Sequence, residues 1–197
     1  MRKPFLKEIP SPRFDKNNYC IGYIGGLEAW KGVDTIIDAL QYLPENISTV
    51  FIGGKEGDDK HKRLMAKAEE LGVKNRIHYR GYVPYPTLEK MIHDIDIFVL
   101  PLLEIQEGNI PMKLFDYLCL GKPIIASNQP SIKEVLKDGI SALYFTPGSG
   151  RELAEQVNKL IRNPLLRYNL SLNAYQSIGF YTVDKWLEEM RSFLEII

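Results

Sequence analysis

The sequence predicts an α/β fold, a doubly wound parallel sheet of about six strands with helices on both faces. Three observations carry that reading. Short apolar runs alternate with segments whose apolar residues recur at helical spacing, in the order βαβαβαβαβαβ followed by helices. Two early runs end in glycine pairs, Gly25-Gly26 and Gly53-Gly54, as strands do where they meet tight turns. A further run, Ile95–Leu102 (IDIFVLPL), is the most apolar of all, the pattern of a strand covered on both faces.

Taken in order, residues 1–18 carry three prolines and no clean period, and read as a lead-in. A single domain over 19–197, closing helices included, follows. Cys20–Gly26 (CIGYIGG) is the first strand and its turn. Val33–Leu43 sets Ile36, Ile37, Leu40 and Leu43 at helical spacing, and Ser48–Gly54 (STVFIGG) is the second strand. Asp58–Leu71 carries Leu64, Met65, Ala68 and Leu71 on one helical face, and Gly72 stops it. Arg76–Val83 (RIHYRGYV) is the third strand, and Thr87–Ile92 a short helix. After Ile95–Leu102 comes a helix over Pro111–Leu120, with Asn109 as candidate N-cap, Pro111 in its first turn and Gly121 beyond its end. Pro123–Ser127 and Ala142–Thr146 are strands, with a short helix Ser131–Lys137 between them. From Ser149 onward three helical stretches are broken by Asn163-Pro164 and by Gly179.

Composition narrows the function. At 197 residues the chain fits one domain. A chain of this length buries roughly 70 % of its unfolded surface, enough for a core without metal or disulfide staples. Lys+Arg and Asp+Glu are 25 each, so the formal net charge is zero. That excludes a nucleic-acid binder relying on bulk positive charge, but not a local phosphate site. Cys20 and Cys119 sit in apolar runs far apart and suit a reducing compartment. No run approaches the roughly 18 apolar residues of a transmembrane helix, and the start lacks a signal peptide's apolar stretch. The expected location is cytoplasmic, with association at a membrane surface left open.

In such sheets ligands bind outside the carboxyl ends of the strands. The loops to watch are Gly25–Lys31, Gly53–Gly57, Gly81–Pro86, Leu103–Ile110 and Ser127–Pro130. Gly25 and Gly26 end a strand, while Lys31-Gly32 reads as the opening of a helix, where free N–H groups and a lysine suit a phosphate. The same pattern also fits a plain turn. A second constellation runs from Glu107 through Gly108, Asn109 and Ile110 to Lys113 and Asp116. Backbone N–H groups of Gly108–Ile110 there could face an anion. The carboxylates Glu107 and Asp116 could accept sugar hydroxyls. Equally, Lys113 and Asp116 stand three apart and could simply pair along the helix. Asp94-x-Asp96 looks like a metal motif but flanks the start of a strand, the wrong end of the sheet. His61, His78 and His93 have no zinc-type spacing, so no metal is expected.

Together these pieces resemble a known family. The order Gly25-Gly26-Leu27…Lys31-Gly32-Val33-Asp34, FIGG (Phe51–Gly54), RGYVPY (Arg80–Tyr85), IDIFVLPL, PMKLFDYLCLGKPIIAS (Pro111–Ser127) and KDGISALYF (Lys137–Phe145) is similar to the C-terminal half of GT-B glycosyltransferases, nearest the retaining family 4 type. The likeness runs from about Tyr19 to the end, where Trp186 resembles part of the closing helices. It implies a Rossmann-like domain that binds a nucleotide-diphosphate sugar (UDP-, GDP- or ADP-) without cofactor or metal, for polysaccharide biosynthesis. By the same resemblance Lys31 contacts the donor diphosphate, and the loop and helix from Glu107 (Gly108, Asn109, Ile110, Lys113) hold sugar and phosphates. Asp116 takes the place of the second Glu of an E-x7-E motif and accepts ribose hydroxyls. Gly53-Gly54 and Gly81, Tyr82 and Val83 border the base.

Two departures stand out. Gly26 occupies the position where the family usually has an arginine, the second phosphate cation. The first acid of the motif falls at Gly108, with Glu107 displaced by one residue, and Pro111-x-Lys113 suggests a subgroup with an altered phosphate loop. The family's N-terminal acceptor domain has no counterpart in the chain, so the resemblance implies a donor-binding half that transfers weakly alone. A GT-B sugar-nucleotide epimerase, a decayed sugar-nucleotide-binding module and an unrelated flavodoxin-like or regulatory domain are the alternatives.

Overall fold

The computed structural model describes residues 17–104 and 109–181. Six parallel strands form one sheet: β1 (Tyr19–Ile24), β2 (Ile47–Ile52), β3 (Ile77–Tyr79), β4 (Ile97–Leu100), β5 (Ile124–Ser127) and β6 (Leu143–Phe145). Their order is β3-β2-β1-β4-β5-β6. The crossovers are α1 (Asp34–Leu40), α2 (Asp59–Glu70), α3 (Tyr85–Ile92), α4 (Met112–Cys119) and α5 (Pro130–Lys133), and α6 (Gly150–Arg162) and α7 (Pro164–Ser177) follow the last strand. The chain winds outward from β1 to β3, then returns past β1 to β4. The reversal between β1 and β4 opens a crevice at the strands' carboxyl ends. The expected fold class is observed.

Alternation along β4 shows how the sheet is buried. Ile97 and Val99 enter one apolar cluster with residues of α1, α2 and α6. Phe98 and Leu100 enter the opposite cluster with residues of α3, α4 and α5. All four are fully buried, so both faces are covered, as the uninterrupted apolar run predicts.

Several boundaries move inward for identifiable reasons. β4 starts later than expected because Asp96 bonds the edge of β1 in both directions. Its N–H donates to Cys20 O at 2.9 Å, and its Oδ2 accepts from Cys20 N–H at 2.8 Å. Asp96 therefore does structural work at the amino end of the sheet. The strand stops before Pro101, which has no N–H to continue the ladder. β3 ends at Tyr79 because Gly81 takes φ +55° and turns its carbonyl onto the Gly53 N–H. Helix α5 is shorter than Ser131–Lys137. The backbone N–H of Lys137 donates instead to Ser141 Oγ in a turn. Asn163 caps α7, where the sequence predicts a break. The third closing stretch, Trp186 included, lies outside the described residues.

Asn109 is not the N-cap of α4. Pro111 holds that position with ψ 125°, so the helix begins at Met112 with no side-chain cap. A residue before proline is disfavoured from helical backbone, which keeps Ile110 and Asn109 outside it.

Tyr117 anchors α4 to the sheet. Fully buried, its ring packs on Phe98 at 4.5 Å between centroids, and its Oη accepts from Ile24 N–H at 2.9 Å. Tyr117→Phe keeps the ring but strips that N–H of its partner. We expect a loss of about 1–3 kcal/mol, seen as a lower urea midpoint at unchanged slope. An unchanged midpoint would mean that Ile24 finds another acceptor.

Candidate functional site

The end of β1 begins the site. Gly25 turns the chain with φ +153° while its N–H still donates to Ile52 O at 2.8 Å. Leu27 is buried and roots the loop. Ala29–Lys31 then form a single 3-10 turn, which Gly32 closes at φ +66°. Lys31-Gly32 thus ends a turn rather than opening a helix, and α1 begins two residues later at Asp34. The reason is local: the Gly32 N–H bonds back to Ala29 O, and Gly32 is in the left-handed conformation that ends helical turns.

Lys31 Nζ lies 2.5 Å from Glu28 Oε2 in an ion pair, and Lys60 Nζ donates to Glu28 Oε1 at 3.0 Å. Contact with Lys31 first, then with Lys60, holds the Glu28 carboxyl at about 2. It is ionised at any working pH.

A second lysine reaches the same turn from across the crevice. Lys113 stands one helical turn before Tyr117, on the same side of α4, so the Tyr117 anchor sets it beside the end of β1. Its Nζ donates to Tyr23 Oη at 2.8 Å and lies 4.5 Å from the centre of the Tyr23 ring. Tyr23 Oη in turn donates to Gly26 O at 2.9 Å. The two glycines make room for the two ammonium groups. A Cβ on Gly25 would lie 2.7 Å from Lys113 Nζ, and one on Gly26 3.0 Å from Lys31 Nζ and 2.5 Å from Glu28 Oε2.

The neighbouring turns stack onto this one. Gly53 donates to Gly81 O at 2.6 Å, and a Cβ on Gly53 would lie 2.6 Å from Gly25 O. Gly25, Gly26, Gly54 and Gly81 thus form one rim. Tyr82 beyond it is 85 % exposed, and Val83 packs on the second core cluster. Asp116 is exposed and lines a small cleft with Ile24, Leu88, Ile92, Lys113, Tyr117 and Leu120. Among the described residues no ion pair joins Lys113 to Asp116, so the helical pair is not formed. Asn109 is exposed and Ile110 half-buried. Glu107 and Gly108 lie outside the described residues. His61 packs its ring on Tyr79 at 4.2 Å, and its Nδ1 accepts from Gly57 N–H, a local role at the start of α2. Among the described residues no three His, Cys, Asp or Glu side chains are placed to hold a metal ion.

Comparison with known proteins identifies the family. The family model for glycosyl transferases group 1 matches residues 5–177. The chain belongs to that family. An uncharacterized glycosyltransferase of Methanocaldococcus jannaschii is 29 % identical over 163 residues, which is 81 % of this chain and 40 % of the relative. Among solved structures, Anabaena HepE in complex with UDP superposes with TM-score 0.81 at 22 % identity, over 92 % of this chain and 50 % of that one. The C-terminal domain of a glycosyl transferase group 1 family protein of Francisella tularensis superposes with TM-score 0.71 at 22 % identity, over 84 % of this chain and 87 % of that domain. The chain spans half or less of the full-length relatives it matches.

Three residues of this candidate site escape a reading of the sequence alone. Tyr23 looks like an ordinary inward strand residue, and Tyr117 like an ordinary helix-face aromatic. Glu28 has a signal in hindsight, since it stands three residues before Lys31.

Proposed function

We propose that the chain is the donor-binding part of a glycosyltransferase that takes a nucleotide-diphosphate sugar, a UDP-, GDP- or ADP-sugar. The reaction is hexosyl transfer to a glycan or lipid-linked acceptor. The observation that carries this reading is the convergence of Lys31 and Lys113 over the Gly25–Gly26 turn, at the switch point of the sheet. Two ammonium groups beside a side-chain-free turn suit a diphosphate, because the oxygens can approach the backbone and both cations together.

In the transfer, the bond between the anomeric carbon and the distal phosphate oxygen breaks. Its electron pair leaves with the nucleoside diphosphate, and the acceptor hydroxyl oxygen forms the new bond at the same carbon while its proton passes to the departing phosphate oxygen. The negative charge that grows on the leaving phosphate is what fixed cations in a closed cleft stabilise. We assign that task to Lys31, with Gly25 and Gly26 giving access, and no metal is needed for it. Asp116 would accept the ribose hydroxyls, and Gly54, Gly81, Tyr82 and Val83 would border the base. Glu107, Gly108, Asn109 and Ile110 would hold the sugar and distal phosphate, with Glu107 beside the reacting carbon. The chain spans half or less of the full-length relatives it matches, and we expect it to bind donor but transfer weakly. No helix among the described residues is long and apolar enough to cross a membrane. We place the activity in the cytoplasm, in polysaccharide biosynthesis.

A thermal-shift panel of UDP, GDP, ADP and their sugars tests the reading. Ligand at a hundred times its dissociation constant stabilises by about 2.7 kcal/mol, and about 2–4 °C per kcal/mol gives a rise of roughly 5–10 °C. We expect such a rise with one base. No rise with any of them at millimolar concentration would favour a decayed module.

A further inference from the structure

Resting on the nucleotide-diphosphate reading above, the structure gives a task to a residue which that reading leaves unused. We propose that Glu28 is a built-in competitor for the diphosphate. Its carboxylate holds Lys31 until a phosphate takes that ammonium, and then stays with Lys60 alone.

Three observations support it. First, a side-chain anion already stands where the reading puts a phosphate. A Cβ on Gly26 would lie 2.5 Å from Glu28 Oε2, so a carboxylate oxygen rests over the side-chain-free turn. Lys31 Nζ lies 2.5 Å from that same oxygen, which is shielded from water. Carboxylate and phosphate offer a lysine the same chemistry, oxygens that share negative charge, so the two compete for one ammonium group. Second, the carboxylate keeps a partner if Lys31 leaves it. Its other oxygen, Oε1, accepts from Lys60 Nζ at 3.0 Å. Lys60 lies in the first turn of α2. On the same face, Arg63–Asp34 at 2.9 Å and Lys67–Asp38 at 2.7 Å tie that helix to α1. Lys31 can therefore turn to a phosphate while Glu28 stays neutralised. Third, the turn makes no other use of this carboxylate. Glu28 is the N-cap of the Ala29–Lys31 turn, yet its side chain makes no capping bond.

The pair is also weak enough to be displaced. The Glu28 side chain is more than a third exposed, and water and salt screen such pairs. A diphosphate brings more negative charge to Lys31 than one carboxylate does. The competition lowers affinity for the diphosphate, so it favours departure of the nucleoside diphosphate after transfer, a step that limits many enzymes.

The test is calorimetric titration of the 197-residue chain at pH 7 with UDP, GDP or ADP, whichever the thermal-shift panel selects. We expect Glu28→Gln to bind the diphosphate fivefold or more tightly than wild type. Glu28→Ala, which removes the carboxylate altogether, should match it. Lys60→Met should weaken binding threefold or more, because the displaced carboxylate then has no cation. In the Glu28→Gln background the same Lys60→Met change should matter less than twofold. Asp34→Asn removes one negative charge from the same row of ion pairs and should change affinity less than twofold. Unchanged or weaker binding by Glu28→Gln and Glu28→Ala would make the ion pairs structural and overturn the inference. So would an equal gain in Asp34→Asn, which would be a general effect of charge. An equal loss from Lys60→Met in both backgrounds would put Lys60 on the ligand itself, and would also overturn it. If the wild-type chain binds none of the diphosphates, the functional reading fails and the inference with it. If it binds and the Glu28 variants bind no more tightly, the inference alone fails.

Discussion

Lys31→Ala is expected to weaken nucleoside-diphosphate binding by about 10- to 100-fold while leaving the unfolding midpoint nearly unchanged. A hydrogen bond to a charged group is worth about 1.5–3 kcal/mol, which spans that range. The fold loses little, because Lys31's partner Glu28 is more than a third exposed and such pairs contribute about 0–1 kcal/mol. Two side effects fix the interpretation. Removing Lys31 leaves Glu28 ionised and facing the phosphate with Lys60 as its remaining partner, which adds repulsion. It also removes a like charge that lowers Lys113, so Lys113 keeps its proton to higher pH. Lys31→Ala/Glu28→Gln should therefore regain part of the lost affinity, and calorimetric titration of the four proteins in that cycle reads the coupling. Equal affinity in wild type and Lys31→Ala would remove Lys31 from the site.

Gly32→Ala is expected to be the most damaging small substitution near the site. Gly32 sits at φ +66°, where an L side chain costs about 1–2 kcal/mol. A Cβ there would lie 1.9 Å from the Pro101 carbonyl oxygen, which is backbone and cannot swing aside. Together these predict a loss of at least about 3 kcal/mol, or roughly 6–12 °C in midpoint. Binding should suffer too. The turn that holds Lys31 is tied to the end of β4 through Leu103 N–H to Trp30 O at 3.0 Å, and moving Pro101 disturbs that tie. Gly57→Ala is the matched control, with φ +80° and nothing within 4 Å of the added atom, so it should cost about the backbone strain alone. Equal midpoints for the two variants would show that the Gly32–Pro101 approach relaxes freely.

The contrast between these glycines shows what was legible in the sequence. Apolar runs, glycine pairs and helical spacing are local signals, and they yield the parallel sheet, its strand count and the faces of β4. The ends of elements depend on partners elsewhere, which is why β3 shrinks to three residues and β4 waits for Asp96 to bond Cys20. The start of α4 misled for a different reason. Asn109 has the chemistry of a cap, but the backbone of Pro111 takes the position.

At the site, Gly25, Gly26, Lys31, Lys113 and Asp116 could be named from their order along the chain. The arrangement that gives them meaning could not. Lys113 meets Tyr23 across 90 residues of sequence, whereas the spacing to Asp116 suggested a partner one turn away. A side chain on α4 leans toward the helix N-terminus, and here that direction carries Lys113 to the end of β1. The glycine at position 26 read as a missing cation. In the structure the ends of the Glu28 and Lys31 side chains lie beside its Cα, and Lys113 Nζ lies beside that of Gly25.

The central claim is that two lysines over a glycine turn make a diphosphate site. It is tested most directly by titrating the wild-type chain with the nucleoside, monophosphate and diphosphate of one base at pH 7. The diphosphate should bind at least tenfold more tightly than the monophosphate, and raising the salt concentration should shrink that gain. Equal affinity for monophosphate and diphosphate would contradict the claim.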